Sequence, residues 1–189
     1  KAVPKGTPEW VTRWYRDAAD DDEARWYVVA DSVATMVWLA NQGSVELDPW
    51  TSTCEAPRTP SWAYVDIDPG TASTFDDVIV LARLYRTALD HLGVVGGPKV
   101  TGKRGIQIWI PVAPPITFDE TRDWVETVSR TVGATVPDLV SWEWRTENRK
   151  GLTRLDYTQN AGNKTLVAPF SARPAPGAPV SVPVTWDEI

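Results

Sequence analysis

An α+β fold is what this sequence predicts, and three features carry that expectation. Strand-like and helix-like segments follow one another without strict alternation, which argues against a parallel βαβ series. Two long amphipathic stretches open with capping-box spacing, Ser73 to Asp76 and Thr117 to Glu120. Residues 104–112, RGIQIWIPV, alternate cleanly, with Ile106, Ile108 and Ile110 on one side and Gln107 and Trp109 on the other.

The chain opens with PEWVTRWYRD, where Trp10 and Trp14 stand one helical turn apart, so a short amphipathic helix is expected. Asp20, Asp21, Asp22 and Glu23 then read as a solvated turn, because consecutive carboxylates point apart and hold a metal poorly. RWYVVA (25–30) is a strand. Asp31 or Ser32 caps a helix whose Val33, Met36, Val37 and Ala40 share a face, and Gly43 ends it. SVEL follows as a short strand closed by Pro49, and a turn-rich connector leads to the strand AYVDID (63–68).

Pro69 and Gly70 stop that strand abruptly. The next helix carries Val78, Leu81, Ala82, Tyr85, Leu89 and Leu92 on one stripe and exits at Gly93. The helix opened by Thr117 buries Trp124, Val125 and Val128, and TRLDY (153–157) and TLVAPF (165–170) read as strands joined by QNAGNK. The proline-rich tail beyond Pro169 is expected to wrap the surface without regular structure.

A length of 189 residues suits a single domain over 1–189 with a real core. Most of the eleven tryptophans are expected in that core, a minority on bases. No run is apolar enough to span a membrane and no leader is visible, so a cytoplasmic, reducing setting is expected, which suits the solitary Cys54. Lys1 in place of an initiator methionine reads as a trimmed or partial chain. His91 is the only histidine and sits at a helix end, which removes histidine-rich metal sites and argues against a Ser-His-Asp mechanism.

A net charge of −6 looks wrong for a partner of polyanions, but it is unevenly spread. Residues 1–97 hold 8 basic and 15 acidic side chains, residues 98–189 hold 11 and 10. Local cations, more than global sign, set phosphate binding.

Asp66-Ile67-Asp68 is the sharpest chemical signal. On a strand, positions i and i+2 share a face, so the two carboxylates stand side by side and repel unless a cation lies between them. The alternative is a turn in which Asp68 caps Pro69 and Gly70. Asp156 offers a third carboxylate on another strand, and three such acids can bridge two divalent cations. Thr101-Gly102-Lys103-Arg104-Gly105 combines glycines, a hydroxyl and two cations, either a phosphate cradle or a basic hairpin loop. Arg149 and Lys150 read as nucleic-acid contacts or surface turns, while Gln159, Lys164 and Arg173 add polar groups around Asp156 for a triphosphate.

Taken in order, YVVADSVATMVWLANQGSVELDPW, WAYVDIDPG, TGKRGIQIWIPV, RLDYTQNAGNKTLVAPFSARP and VTWDEI resemble the polymerase domain of bacterial end-joining ligase D and its stand-alone relatives. That family lies within the archaeo-eukaryotic primase superfamily. The resemblance implies a primase-polymerase palm of mixed or antiparallel sheets flanked by helices. It implies Asp66, Asp68 and Asp156 as ligands of Mn²⁺ or Mg²⁺, and places Thr101, Arg104 and Gln107 where the family's serine, lysine and histidine contact incoming nucleotide. Lys164 and Arg173 fall on its phosphate-binding cations. Implied partners are NTP or dNTP, DNA with gaps or double-strand ends, a DNA ligase and an end-binding protein.

Several positions depart from the pattern. Gln107 stands for a histidine and cannot carry charge, Asp48 replaces the histidine of ELHPW beside the triphosphate site, and Thr101 replaces serine. A segment carrying lysines for a DNA 5′-phosphate normally precedes this region, so a removed segment or a minimal variant is expected. Three readings follow: a nucleotidyltransferase adding nucleotides to a primer, a nucleic-acid-binding module with weakened catalysis, and a metal-dependent nuclease.

Overall fold

The computed structural model describes residues 3–17, 25–162 and 164–189. The acidic stretch 20–23 and Asn163 of the QNAGNK turn lie outside them. The chain divides into two compact units, residues 1–45 and 46–189.

In the first unit, strand β1 (Arg13–Arg16) pairs antiparallel with β2 (Arg25–Val28) and helix α1 spans Val33–Asn41. The helix expected over PEWVTRWYRD is therefore a turn leading into the strand Arg13–Arg16. The spacing of Trp10 and Trp14 mimicked a helical turn, but Trp14 faces Tyr27 and Tyr15 faces Trp26 at ring-centroid distances of 6.5 and 5.1 Å, a cross-strand aromatic ladder that outweighs local periodicity. Ser32 caps α1 by accepting the Thr35 N–H, and Gly43 follows its end with φ 78°. The apolar stripe expected to be buried is not: Val33 is 81% exposed and Met36 and Val37 are exposed too, while Thr35 is buried.

The second unit is built on an antiparallel sheet ordered β6-β3-β5-β4-β7. Its elements are β3 (Trp62–Asp68), α2 (Phe75–Leu92), β4 (Gly97–Val100), β5 (Ile106–Pro111), α3 (Phe118–Thr135), a 3₁₀ turn (Thr146–Arg149), β6 (Arg154–Asp156) and β7 (Val182–Pro183). Alternation divides the sheet. Ala63, Val65, Ile67, Ile106, Ile108, Ile110 and Leu155 enter a core with Val78, Leu81, Tyr85 and Leu89 of α2 and Val125, Val128 and Val132 of α3. Within it the Tyr85 hydroxyl donates to Ser129 Oγ at 2.7 Å. The other face carries Trp62, Tyr64, Asp66 and Asp68 down β3, beside Gln107 and Trp109 of β5. The expected α+β architecture and its principal helices and strands hold.

Differences are local. The α2 capping box is Thr74 with Asp77, one residue later than expected, because the Ser73 hydroxyl is spent on the Gly151 carbonyl at 3.1 Å. The Thr117–Glu120 box stands as expected. Leu92, expected on the buried stripe, is exposed. SVEL and TLVAPF are not strands. They run side by side through Leu166 N–H to Pro49 O (3.2 Å) and Ala168 N–H to Leu47 O (2.8 Å), with one isolated bridge between Trp50 and Thr165. Pro49 and Pro169 each remove a donor that a full ladder would need. Conversely β4 and β7 went unforeseen because Pro98 and Pro183 disguise them, and β7 is an edge strand, where proline is tolerated. The tail thus supplies sheet structure as well as wrapping. Among the described residues no tryptophan is fully buried: Trp124, Trp142 and Trp186 pack against the core from outside, and Trp10, Trp26, Trp62 and Trp144 are exposed. The indoles flank the core rather than fill it.

Two close approaches hold β6 against β3. Gly70 follows β3, and a Cβ there would run into the carbonyl oxygens of Gly151 and Leu152; its lack of a side chain lets Ala72 N–H reach Gly151 O at 3.0 Å. At the other end β6 stops at Asp156, leaving Tyr64 without a strand neighbour on that flank. Asn160, only 1% exposed, takes that place: its Oδ1 accepts the Tyr64 N–H (3.0 Å) and its Nδ2 donates to Tyr64 O and Tyr157 O (both 2.8 Å). Replacing Asn160 with Ala strands these buried backbone groups, so we expect a loss of about 3 kcal/mol. Urea unfolding of both proteins measures it, and an unchanged midpoint would refute this role for the amide.

Candidate active site

The acids come together through strand register. In the antiparallel β3–β6 pair Asp66 lies directly opposite Asp156, and Asp68 opposite Arg154. Opposed residues put their Cβ atoms on the same face about 5 Å apart, and Asp68, two residues on, shares that face. On the other flank of β3 the register continues to Gln107 of β5 and from there to Lys99 of β4. A single row crosses the sheet: Asp156, Asp66, Gln107, Lys99.

Each acid has its own partners. Asp66 is the least compensated: burial raises its carboxyl to about 6, and although Gln107 donates to it and Lys99 attracts it, Asp68 and Asp156 push the other way. Asp68 Oδ2 pairs with Arg149 at 2.7 Å. Asp156 Oδ1 accepts from the Thr158 hydroxyl (2.6 Å) and N–H (3.0 Å), and Oδ2 from Gln159 Nε2 (3.2 Å). With those rotamers no three Asp, Glu, His or Cys side chains among the described residues stand as a ready-made metal cage. The donor chemistry nonetheless suits a hard divalent ion. Three carboxylates share a face, and Asp66 lacks a direct cationic partner among its hydrogen bonds.

A cleft of about 380 Å³ opens beside Asp66 and Asp68, lined also by Asp48, Thr101, Lys103, Arg104, Gln107 and Arg173. The β4–β5 loop supplies two of its cations, Lys103 and Arg104, and Arg173 comes from the chain after β6. Gly102 (φ 72°) turns that loop, and the Thr101 hydroxyl closes it on Gly105 O at 3.0 Å. Arg104 is anchored on Gly70 O (3.1 Å) and Ser73 O (2.6 Å). Arg173 donates to Thr101 O at 2.7 Å and pairs with Glu46 at 2.7 Å. Asp48 faces these cations, yet burial and Glu46 hold its carboxyl above the usual range against the pull of Arg173, Lys103 and Lys99.

Gln107 is 3% exposed, its Oε1 accepting from Trp109 Nε1 at 3.2 Å. Five of the expected site residues do not line the cleft: Asp156, which stands opposite Asp66 in the strand pair, and Gln159, Lys164, Arg149 and Lys150. Lys164 is exposed, next to lining residue Thr165. Gln159 orients Asp156. Arg149, expected at the surface, is buried, with Nε on Glu143 O and a further N–H on Trp144 O besides its bond to Asp68. Lys150 beside it is exposed, with φ 53°.

Lys99 was missed. It is buried, donates to Val167 O (3.0 Å) and Ser181 Oγ (2.7 Å), and burial pushes its ammonium down to about 8. The signal lay in its place: Lys99 stands two residues before Thr101, on a strand that Pro98 concealed.

A family model described as the LigD primase-polymerase domain matches residues 1–189. The bifunctional non-homologous end joining protein LigD of Bacillus subtilis is 30% identical over 190 residues, covering 100% of this chain and 30% of that protein. The multifunctional non-homologous end joining DNA repair protein LigD of Mycobacterium tuberculosis is 26% identical over 197 residues, covering 100% of this chain and 26% of its own length. This chain therefore spans less than a third of these curated relatives. Among solved structures, the polymerase domain of Mycobacterium tuberculosis ligase D in complex with DNA superposes with a TM-score of 0.86 at 26% identity, over 100% of this chain and 68% of that one.

Because the folded carboxyl of Asp66 titrates near 6 and an unfolded aspartate near 3.8, its contribution to stability is complete below pH 3.8 and is lost as pH rises through 6. Relative to the natural protein, Asp66→Asn should therefore gain stability between pH 4 and 7 in chelator, and should fail to gain from added Mn²⁺. Parallel thermal melts across that range, with and without the ion, check both halves.

Proposed function

Since the chain belongs to the LigD primase-polymerase domain family, we propose that it is a two-metal nucleotidyltransferase that fills gaps at DNA breaks, adding nucleotides, ribonucleotides foremost, to a primer 3′-hydroxyl. The observation that carries this is the register that sets Asp156 opposite Asp66, beside a cleft whose far wall holds Lys103, Arg104 and Arg173. Acids on one side and cations on the other suit a substrate that brings both a triphosphate and a reacting hydroxyl.

Asp66, Asp68 and Asp156 would hold Mn²⁺ or Mg²⁺. Such ions, when bound, neutralise phosphate charge and lower the pKa of a coordinated hydroxyl. The chain's own residues do the rest. Arg104, fixed by two carbonyls, and Arg173, fixed by Thr101 O and Glu46, present guanidiniums to the triphosphate with little entropy left to lose. Gly102 and Gly105, lacking side chains, let the 101–105 loop pack closely on Val180 and Arg173 and on the Ile67 carbonyl, which holds its cations beside the cleft. Gln107 donates to Asp66 and holds its carboxylate toward the shared face. In the reaction the primer 3′-hydroxyl loses its proton to solvent as its oxygen bonds to the α-phosphorus, the α–β phosphoanhydride bond breaks, and pyrophosphate leaves. Gapped or broken-ended DNA, NTP or dNTP, a DNA ligase and an end-binding protein are the partners this role implies, in the cytoplasm. No helix among the described residues is long and apolar enough to cross a membrane.

One observation favours a second reading, a nucleic-acid-binding module with weakened catalysis: Asp68 and Asp156 are committed to protein donors, and Asp48 adds negative charge to the cleft. Extension of a primer on a gapped duplex with Mn²⁺ separates the two. We expect extension with both rNTPs and dNTPs, faster with rNTPs, and a drop of about a thousand-fold or more for Asp156→Asn. Retained turnover in that variant would sink the assignment; a shortened primer would point to hydrolysis instead.

A further inference from the structure

Trp144 is 60% exposed, yet it is tied to the acids at two points. Its carbonyl accepts from Arg149, whose Nη1 pairs with Asp68 at 2.7 Å. One face of its indole lies over the Arg154 guanidinium at 4.8 Å, and Arg154 Nη2 stands 3.5 Å from Asp156. Arg149 and Arg154 are both buried, so the ring is mounted on a rigid base. The cations of the cleft belong to the β4–β5 loop and to Arg173, across β3, whereas Trp144 belongs to the β6 side, at the sheet's edge.

We propose that Trp144 is the stacking platform for the terminal base of the primer strand. This rests on the nucleotidyltransferase reading. In phosphoryl transfer the attacking and leaving oxygens lie on opposite sides of phosphorus. With the triphosphate on the β5 side of the acids, the strand carrying the 3′-hydroxyl arrives from the β6 side, where this indole stands. Charge does not substitute for stacking there: the exposed Arg145 and Lys150 are offset by the exposed Glu143 and Glu147 of the same loop. A π face is the recognition element left, and every base offers a partner for it.

A primer–template duplex with 2-aminopurine at the primer 3′ end, added to the full chain without nucleotide, reports stacking directly by loss of its emission. Trp144→Leu keeps an apolar cover on Arg154 but removes the π face, and Trp144→Phe restores a smaller one. The expected result is quenching by the natural protein, duplex binding about tenfold to a hundredfold weaker in the Leu variant with quenching gone, and recovery of most of both in the Phe variant. Mn²⁺-dependent NTP binding, measured without DNA, should be equal in all three. Absence of quenching by the natural protein, or equal quenching and affinity in the Leu variant, overturns the proposal. So does a loss of NTP binding in step with DNA binding, which would mark Trp144 as a prop for Arg154 alone. Quenching without any primer extension would leave the stacking platform standing and refute nucleotidyl transfer.

Discussion

The pairing of β6 with β3 is the constraint on which the site depends. A one-residue slip would turn Asp156 into the core and bring Leu155 to the open face, because side chains alternate with a period of two. β6 has only three residues, too few to set register by ladder bonds alone. Its position is held from outside: by the close contact of Gly70 with Gly151 and Leu152, by Leu155 fully buried in the core, and by Asn160 substituting for the strand residue that β6 lacks. The geometry of the acidic row and folding stability therefore draw on the same few contacts.

Charge is organised by location, which explains how an acidic chain can suit an anionic partner. Along β3 the acids face two guanidiniums, Arg149 and Arg154, that are buried and hydrogen-bonded to loop carbonyls. Across the cleft the exposed-side cations are anchored in the same way, on Gly70 O, Ser73 O and Thr101 O. Backbone carbonyls thus fix each charge in place. Buried charges of this kind stabilise little by themselves, and their value is positional.

The substitutions that set this chain apart from the family pattern have a coherent surrounding. Gln107 carries no charge, but it bridges Trp109 Nε1 and the Asp66 carboxylate, which a neutral amide does by accepting on one side and donating on the other. Positive charge lies one strand further on, at Lys99, which attracts both Asp66 and Asp48. Asp48 itself is set among Arg173, Lys103 and Lys99, so its presence at the cleft is electrostatically matched.

Local chemistry was legible in the residues themselves. The alternation of β5, the stripes of α2 and α3, the Thr117 capping box and the shared face of Asp66 and Asp68 follow from 2.0 and 3.6 periodicities that act within a few residues. What only the tertiary structure decided involves partners far along the chain. β1 is a strand because β2 lies beside it, β4 and β7 exist despite their prolines because neighbours supply the remaining bonds, and Arg149 is buried because Asp68, 81 residues earlier, is there to receive it. The tryptophans illustrate the same divide: their number suggested a core, yet aliphatic side chains on the strands and helices fill it, and the indoles were left at its margins. Sequence spacing dictates which side chains share a face; which faces meet depends on long-range packing, and no periodicity records it.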